Sequence, residues 1–229
     1  MKICILFTLA LIFFGANFAF SQTAPLPSAF QSWNEVQLIL PIADGKDAKG
    51  KRIDKVSATF SGVLRVGRRN LDFLDNRLGA SLDFRVNRHL SLLVGAVYRK
   101  DELVENRRRF ETRLNFGATF FTTWRGFNIR DRNMFEHRFR NSRTDLNVYR
   151  HRIQISRPLK IGGKEIFTPF ISEEGNLDLR SRKWLLNDFF AGITRIINRK
   201  TSIDLAYVRS DIQPTNVNGL SVGLKIRLK

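Results

Sequence analysis

The sequence predicts an all-β protein: an antiparallel transmembrane β-barrel of about 10–12 strands, preceded by a cleaved signal peptide. Three features support this prediction: one-for-one alternation of apolar and polar residues, charged residues on the polar side, and an apolar segment at the start. The alternation is clear at 77–86, R-L-G-A-S-L-D-F-R-V, and at 220–229, L-S-V-G-L-K-I-R-L-K. A period of two gives a strand one apolar and one polar face. An apolar outside and a polar inside are typical of outer-membrane barrels.

The first residues predict export. A basic Met1-Lys2 precedes the apolar run 3–16, and Ala19-Phe20-Ser21 offers small residues for cleavage before Gln22. The alternative, a membrane-spanning helix, needs about 20 apolar residues, and this run is shorter. We therefore predict a signal peptide at 1–21, an extended lead-in at 22–32 and a barrel at 33–229. The expected location is the outer membrane of a diderm (Gram-negative) bacterium.

Eleven segments alternate strongly enough to be predicted as strands. They are 33–40, 56–66, 77–86, 90–99, 109–122, 127–139, 146–157, 166–174, 183–196, 202–210 and 219–229. Tight turns are expected at 87–89, 124–126, 160–164 and 198–201, and longer charged connectors at 67–76, 100–108, 140–145, 175–182 and 211–218. Because bacterial barrels usually have an even number of strands, twelve is preferred. Either one strand escapes the pattern, or 33–40 lies partly outside the barrel.

The alternation also predicts which side chains face lipid. A charge facing the middle of a bilayer costs about 2–4 kcal/mol, so the charged positions are assigned to the lumen. Aromatic residues near strand ends are expected at the level of the lipid headgroups; these are Trp33, Tyr98, Trp124, Tyr149, Trp184 and Tyr207. The lipid-facing set is Phe60, Leu64, Leu82, Phe84, Leu92, Val94, Phe110, Leu114, Phe116, Ile153, Ile155, Phe189, Ile193, Ile203, Leu205, Val222, Leu224 and Ile226.

Several segments together resemble one family. They are R-N-M-F-E-H-R-F at 132–139, Y-R-H-R at 149–152 ahead of Pro158-Leu159, T-P-F-I-S-E-E at 168–174, and N-D-F-F-A-G at 187–192. Their order resembles an uncharacterised bacterial outer-membrane barrel family, domain of unknown function 2490 (DUF2490). The resemblance covers roughly 33–229 and implies a barrel and an outer-membrane address, without an established activity. The chain has Asp188 where the family tends to have Arg, which removes one lumen cation or pairs Asp188 with a neighbouring arginine.

Composition and charge narrow the partners. The chain carries 39 Lys plus Arg against 21 Asp plus Glu, a net charge of +18. Because the basic residues occupy alternate strand positions or turns, the sequence does not predict a nucleic-acid binder. Outer-membrane lipid, lipopolysaccharide and small anions are the expected partners. The barrel-insertion machinery is another, although the chain ends Leu228-Lys229 where an aromatic residue is usual. Cys4, in the predicted signal peptide, is the only cysteine, so the exported chain is expected to have no disulfide and no cysteine nucleophile.

Patterns that could carry chemistry are weak, and no cofactor or metal is predicted. Residues 45–51 match a phosphate-binding loop up to the lysine, but Arg52 replaces the Ser or Thr that holds magnesium. The three histidines, at positions 89, 137 and 151, lack metal-ligand spacing. A lipid hydrolase would need a serine, a histidine and an orienting group. The only set available is His151 with Ser156 or Ser172, oriented by Glu173 or Glu174.

The strongest functional signal is a set of charged residues predicted to line the lumen. Arginines two apart on one strand form a column that binds carboxylates or phosphates. A filled lumen of Arg–Asp/Glu pairs, in a non-enzymatic barrel of unassigned role, is favoured over a narrow anion-selective pore and over a lipid-modifying hydrolase. The candidate lumen residues are Arg65, Arg85, Arg99, Glu111, Arg113, Arg130, Arg132, Glu136, Arg138, Arg150, Arg152, Asp188 and Arg227.

Overall fold

The described part of the protein is a β-barrel. The computed structural model describes residues 30–46, 50, 52–67, 72–104, 107–141, 143–212 and 215–228. The predicted signal peptide, most of the lead-in, and much of the loop at 45–51 lie outside the described residues. No helix in these ranges is long and apolar enough to cross a membrane.

The described residues form twelve strands, and eleven of them make up the barrel wall. The three-residue strand β8 belongs to the connection between β7 and β9, where it pairs only with β9. The strands are β1 Phe30–Lys46, β2 Arg52–Gly67, β3 Asp72–Asn87, β4 Leu90–Val104, β5 Arg107–Trp124, β6 Phe127–Arg140, β7 Leu146–Ser156, β8 Leu159–Ile161, β9 Lys164–Asp178, β10 Lys183–Ile196, β11 Thr201–Ile212 and β12 Thr215–Arg227.

The barrel closes through one parallel pair. Strands that follow each other in the wall are antiparallel neighbours, and β9 joins β10. The circle is completed by β1 and β12, which run parallel from Phe30 opposite Asn218 to Ile39 opposite Arg227. With an odd number of alternating strands, the first and the last run in the same direction, so closure must be parallel. The preference for twelve wall strands was therefore wrong, and 33–40 lies inside the barrel as part of β1.

The strands are longer than the sequence predicts, and the connections are shorter. The expected turns at 87–89, 124–126 and 198–201 are present. We call the end of the barrel at which they lie the turn end. At the opposite end, called the loop end, most of the expected connectors are strand. Only 68–71, 105–106, 141–145, 179–182 and 213–214 lie between strands there. Charged residues of the expected connectors that are described as strand, such as Asp75 and Asp101, continue the alternation into the lumen and form ion pairs there, which extends the strands.

Burial follows the alternation. On β5, Glu111, Arg113 and Asn115 are buried while Leu114 and Phe116 are exposed. The register between strands keeps each face continuous around the barrel. Every residue of the predicted lipid-facing set lies on the outward face by this register. Trp33 is the exception among the strand-end aromatics: it faces the lumen and is only 6% exposed, because Arg65 and Phe190 enclose its ring.

We predict that cysteines at Asn34 and Val222, which are directly paired across the parallel seam, will form a disulfide on oxidation in a Cys4→Ser background. The cross-linked protein should change mobility on a denaturing gel only without reductant. The matched pair Leu64→Cys and Val222→Cys should stay reduced, because β1 separates β2 from β12. Efficient cross-linking of that second pair would mean that β1 lies outside the barrel.

Candidate functional site

The predicted lumen residues occupy one face of the wall, as the strand register and the alternation of burial place them. They separate into two levels along the barrel axis. One group lies in the loop-end half, close to the connections 68–71, 105–106, 141–145 and 179–182. The other group lies near the turns at 88–89 and 125–126. The two groups differ in burial and in charge balance, so each is described separately.

Asp75 is the centre of the first ion-pair cluster in the loop-end half. Its carboxylate accepts hydrogen bonds from Arg77 at 3.0 Å and from Arg99 at 3.1 Å, and it forms a longer ion pair with Arg65 at 3.8 Å. Arg99 also reaches Asp101 at 3.5 Å. Asp75 is 1% exposed. Three strands, β2 to β4, are thereby tied together on the lumen side, because three guanidinium groups share one buried carboxylate.

Glu136 is the centre of the second cluster and is fully buried. It pairs with Arg138 at 2.5 Å, Arg150 at 2.7 Å and Arg113 at 3.5 Å. Arg113 also bonds Glu111 at 2.5 Å. A carboxylate with three cationic partners keeps its charge in a water-poor interior, since each arginine supplies both charge and N–H donors.

Arg150 connects this cluster to a third carboxylate. Its two terminal nitrogens contact different acids, Nη1 to Glu136 at 2.7 Å and Nη2 to Glu174 at 2.5 Å. Glu174 also accepts Arg132 at 2.6 Å. The chain of pairs thus runs from β5 through β6 and β7 to β9.

The remaining wall of the loop-end half contributes aromatic rings. The Trp33 and Phe190 rings meet edge to face at 5.8 Å. Arg65 lies 3.4 Å over Trp33, and Arg152 lies 4.9 Å over Phe190, as cation–π contacts. Asp188 accepts the hydroxyl of Ser210 and has no arginine partner among the described ion pairs. Ion pairs and rings together fill this half of the lumen.

The turn-end half is more open and carries unbalanced positive charge. Arg85, Arg130 and Arg152 form no ion pair in the described ranges. Asp83 faces the same region and acts on Arg130 electrostatically, and Glu174 lies opposite Arg152 across the β7–β9 ladder. Arg85 donates to Ser91 at 3.3 Å and to the carbonyl oxygen of Arg88 at 2.8 Å, and Arg152 donates to Ser172 at 3.0 Å.

Aromatic contact and partial exposure complete this region. Phe121 lies beneath two of these guanidinium groups, at 4.1 Å from Arg85 and 5.8 Å from Arg130. Arg130 is exposed, while Arg85 and Arg152 are half-buried. We call this region the basic vestibule: Arg85, Arg130, Arg152 and Phe121.

Acid–base pairs on the opposite wall of the turn-end half are balanced. Arg227, the last of the predicted lumen residues, forms a two-pronged contact with Asp54. Lys225 binds Asp204 at 2.5 Å, and Thr194 donates to the same carboxylate at 2.6 Å. These two pairs add no positive excess to that of the basic vestibule on β3–β7.

The structure separates the residues of the candidate hydrolase. Ser156 and Ser172 lie on the lumen side, while His151 lies on the outward face, because the residues of one strand alternate between faces. The two proposed orienters are split in the same way, with Glu174 inward and Glu173 outward. His151 contacts Asp131, at 2.9 Å from Nε2 to Oδ1. His137 contacts Asn147 instead, and the described residues contain no metal-binding cluster.

Several side chains that face the lumen were not predicted from the sequence. Asp75 and Asp101 fell in expected connectors, and Trp33 and Phe190 were not assigned to the lumen. Asp75 had a detectable signal, because it continues the period of Arg77, Gly79 and Ser81. The inward rings had none, since an aromatic residue suits either face of a strand.

A comparison with known families settles what the motif order suggested. The profile described as "Protein of unknown function (DUF2490)" matches residues 30–220. The chain belongs to the DUF2490 family. A search of curated proteins finds no match.

One solved structure is similar to this DUF2490 chain at a TM-score of 0.35 with 13% sequence identity: an anion-selective porin from Comamonas acidovorans. The match covers 80% of this chain and 61% of the porin. A similarity this distant carries no functional conclusion.

We predict that Glu136→Gln will lower the free energy of unfolding by about 3–5 kcal/mol, because three lumen arginines lose a shared carboxylate and Arg138 loses its only described ion-pair partner. Guanidinium titrations of the vesicle-inserted protein would measure this change. The control is Asp211→Asn, which breaks the exposed Arg209–Asp211 pair and should cost less than about 1 kcal/mol. Equal effects of the two substitutions would contradict a stabilising role for the buried network.

Proposed function

We propose that this DUF2490 protein is an outer-membrane β-barrel whose lumen is sealed in its loop-end half, and that it has no catalytic role. Support for the membrane comes from the exterior. Phe60, Phe116, Ile171 and Leu205 represent a band of exposed apolar side chains around the wall. Acyl chains cover such a band favourably, whereas water does not.

The observation that carries the sealed lumen is the burial of its charges. Glu136 is 0% exposed, Asp75 1%, Arg113 4%, Glu174 5% and Asp188 5%. These residues come from five strands of the wall, β3, β5, β6, β9 and β10. Their burial leaves no room for a hydrated ion path beside them. An open anion pore is less well supported, because such a pore would need hydrated, unpaired guanidinium groups at the depth of these buried charges.

The basic vestibule supports a second candidate function, the binding of an anion at the turn end. Arg130 and Arg152 are on adjacent strands, with Arg130 opposite Gln154, and neither forms an ion pair with a carboxylate of the described residues. Like charges in such proximity favour a bound counter-ion. With the C-terminus in the periplasm, this site would be open to periplasmic carboxylates or phosphates.

We predict that the purified protein will give no steady conductance in planar bilayers. The variant Glu136→Ala/Arg113→Ala/Arg150→Ala should conduct with anion preference, since the plug is thinned while Arg77, Arg99 and Arg132 remain. The exterior variant Arg209→Ala/Asp211→Ala should stay silent. Heat-modifiable gel mobility would verify that each variant is folded. Steady conductance of the unaltered protein would overturn the sealed lumen.

We predict that inorganic phosphate will raise the thermal unfolding midpoint above that in chloride of equal ionic strength, because an anion that binds only the folded state stabilises it. Arg130→Gln/Arg152→Gln should abolish the difference. Replacing an arginine outside the vestibule, as in Arg209→Gln, should leave it unchanged. A shift of equal size in all three proteins would indicate a general salt effect and remove the vestibule from consideration.

A further inference from the structure

A polar cluster interrupts the apolar exterior on β6, β7, β9 and β10. It consists of Asp131, Asn133, Tyr149, His151, Glu173 and Asn187. All six side chains point outward, because Asn133 is paired with His151, Asp131 and Glu173 are both paired with Ile153, and their strand neighbours face the lumen. We call this group the exterior polar cluster. It contains two carboxylates, and its neighbours on the same face include Ile129, Ile153 and Ile171.

The cluster lies within the apolar band rather than at its edge. On β6, Ile129 precedes Asp131, and the exposed Phe135 and Phe139 follow it toward the loop end. On β9, Ile171 lies on the turn-end side of Glu173, and Leu177 lies on the loop-end side. Apolar side chains therefore flank the cluster on both sides along these strands, unlike the aromatic residues expected at strand ends.

Internal hydrogen bonds satisfy only part of the cluster. Asp131 receives His151 at 2.9 Å and the amide of Asn133 at 3.1 Å, and Tyr149 donates to Asn133. Glu173 has one neutral donor, the Asn187 amide at 2.8 Å. A carboxylate held by one amide is poorly compensated among acyl chains, and a second protein surface with a complementary polar group would compensate it.

We propose that the exterior polar cluster is the interface between two copies of this chain in the membrane. A twofold axis parallel to the barrel axis, passing between β7 and β9, makes β7 of one copy face β9 of the other. Such an axis keeps every residue at its depth. His151 and Glu173 are one outward position apart across the β7–β9 ladder, an offset of about 7 Å along the strands that two long side chains can span.

The axis therefore brings His151 of each copy next to Glu173 of the other copy, so that the interface contains two equivalent His151–Glu173 contacts. The Nε2 atom of His151 contacts Asp131 of its own copy, which leaves the Nδ1 side of the ring to face the second copy's Glu173 and to add a second polar partner for that carboxylate. The apolar Ile153, Ile155 and Ile171 surround the pairs and exclude lipid from them. An isologous contact of this kind is the commonest form of protein self-association.

The test is site-directed cross-linking of the full-length chain in native membranes. In a Cys4→Ser background, Ile153→Cys lies beside the axis and should link to itself through a short bismaleimide, giving a band at twice the monomer mass. Val94→Cys is also exposed and outward, on β4, and should remain monomeric. Adding Glu173→Leu to Ile153→Cys should reduce the dimer band at least tenfold, while gel mobility still shows a folded barrel.

Three results would overturn the proposal. The first is a folded Ile153→Cys protein that stays monomeric. The second is a set of products whose masses match other proteins, which would identify a different occupant of the cluster. The third is a dimer yield that Glu173→Leu leaves unchanged, which would mean that the isoleucines associate without the polar pairs.

Discussion

The sharing of buried carboxylates among arginines on neighbouring strands is the interaction on which the barrel interior depends. Glu136 and Glu174 are joined through one arginine, Arg150, and Asp75 serves three others. A pair broken in a water-poor interior leaves an uncompensated charge, which costs far more than an intact pair contributes. The network therefore makes one strand register specific, because any slip in register would separate these charges from their partners. A one-residue slip would also turn the arginines toward lipid.

Much of this architecture could be predicted from the sequence, because it follows from a period of two. The alternation at 109–122 identifies β5, its two faces and the burial of Arg113 opposite the exposure of Phe116. The strand boundaries could not be predicted equally well. Asp75, Asp101 and Asn176 look like loop residues by type, yet each lies in a strand that is extended by partners on neighbouring strands. Such contacts are distant in sequence, and a local pattern carries no information about them.

The candidate site shows a sharper limit. Periodicity assigns a side chain to a face, but it does not identify which polar residues break the rule. His151 fits the outward alternation of Tyr149 and Ile153, and only the strand register reveals that Asp131 lies beside it. The assumption that lipid excludes every charge sends both Glu173 and Glu174 inward. Adjacent residues of a strand cannot share a face, so one of the two had to point outward, and the register decides that it is Glu173.

Closure by a parallel pair needs support that an antiparallel seam would not, because slanted parallel hydrogen bonds are slightly weaker per residue. The side chains beside the β1–β12 seam provide it. At the turn end, Arg227 of β12 reaches past β1 to Asp54 of β2, so this salt bridge crosses β1 from one side to the other. At the loop end, Trp33 of β1 is enclosed by Arg65 of β2 and Phe190 of β10. Gly219 allows the backbones of β12 and β1 to approach closely, because a side chain at position 219 would collide with the carbonyl of Gln31. The first strand is thus held on both sides at both ends, and this makes an odd-numbered wall compatible with a closed barrel.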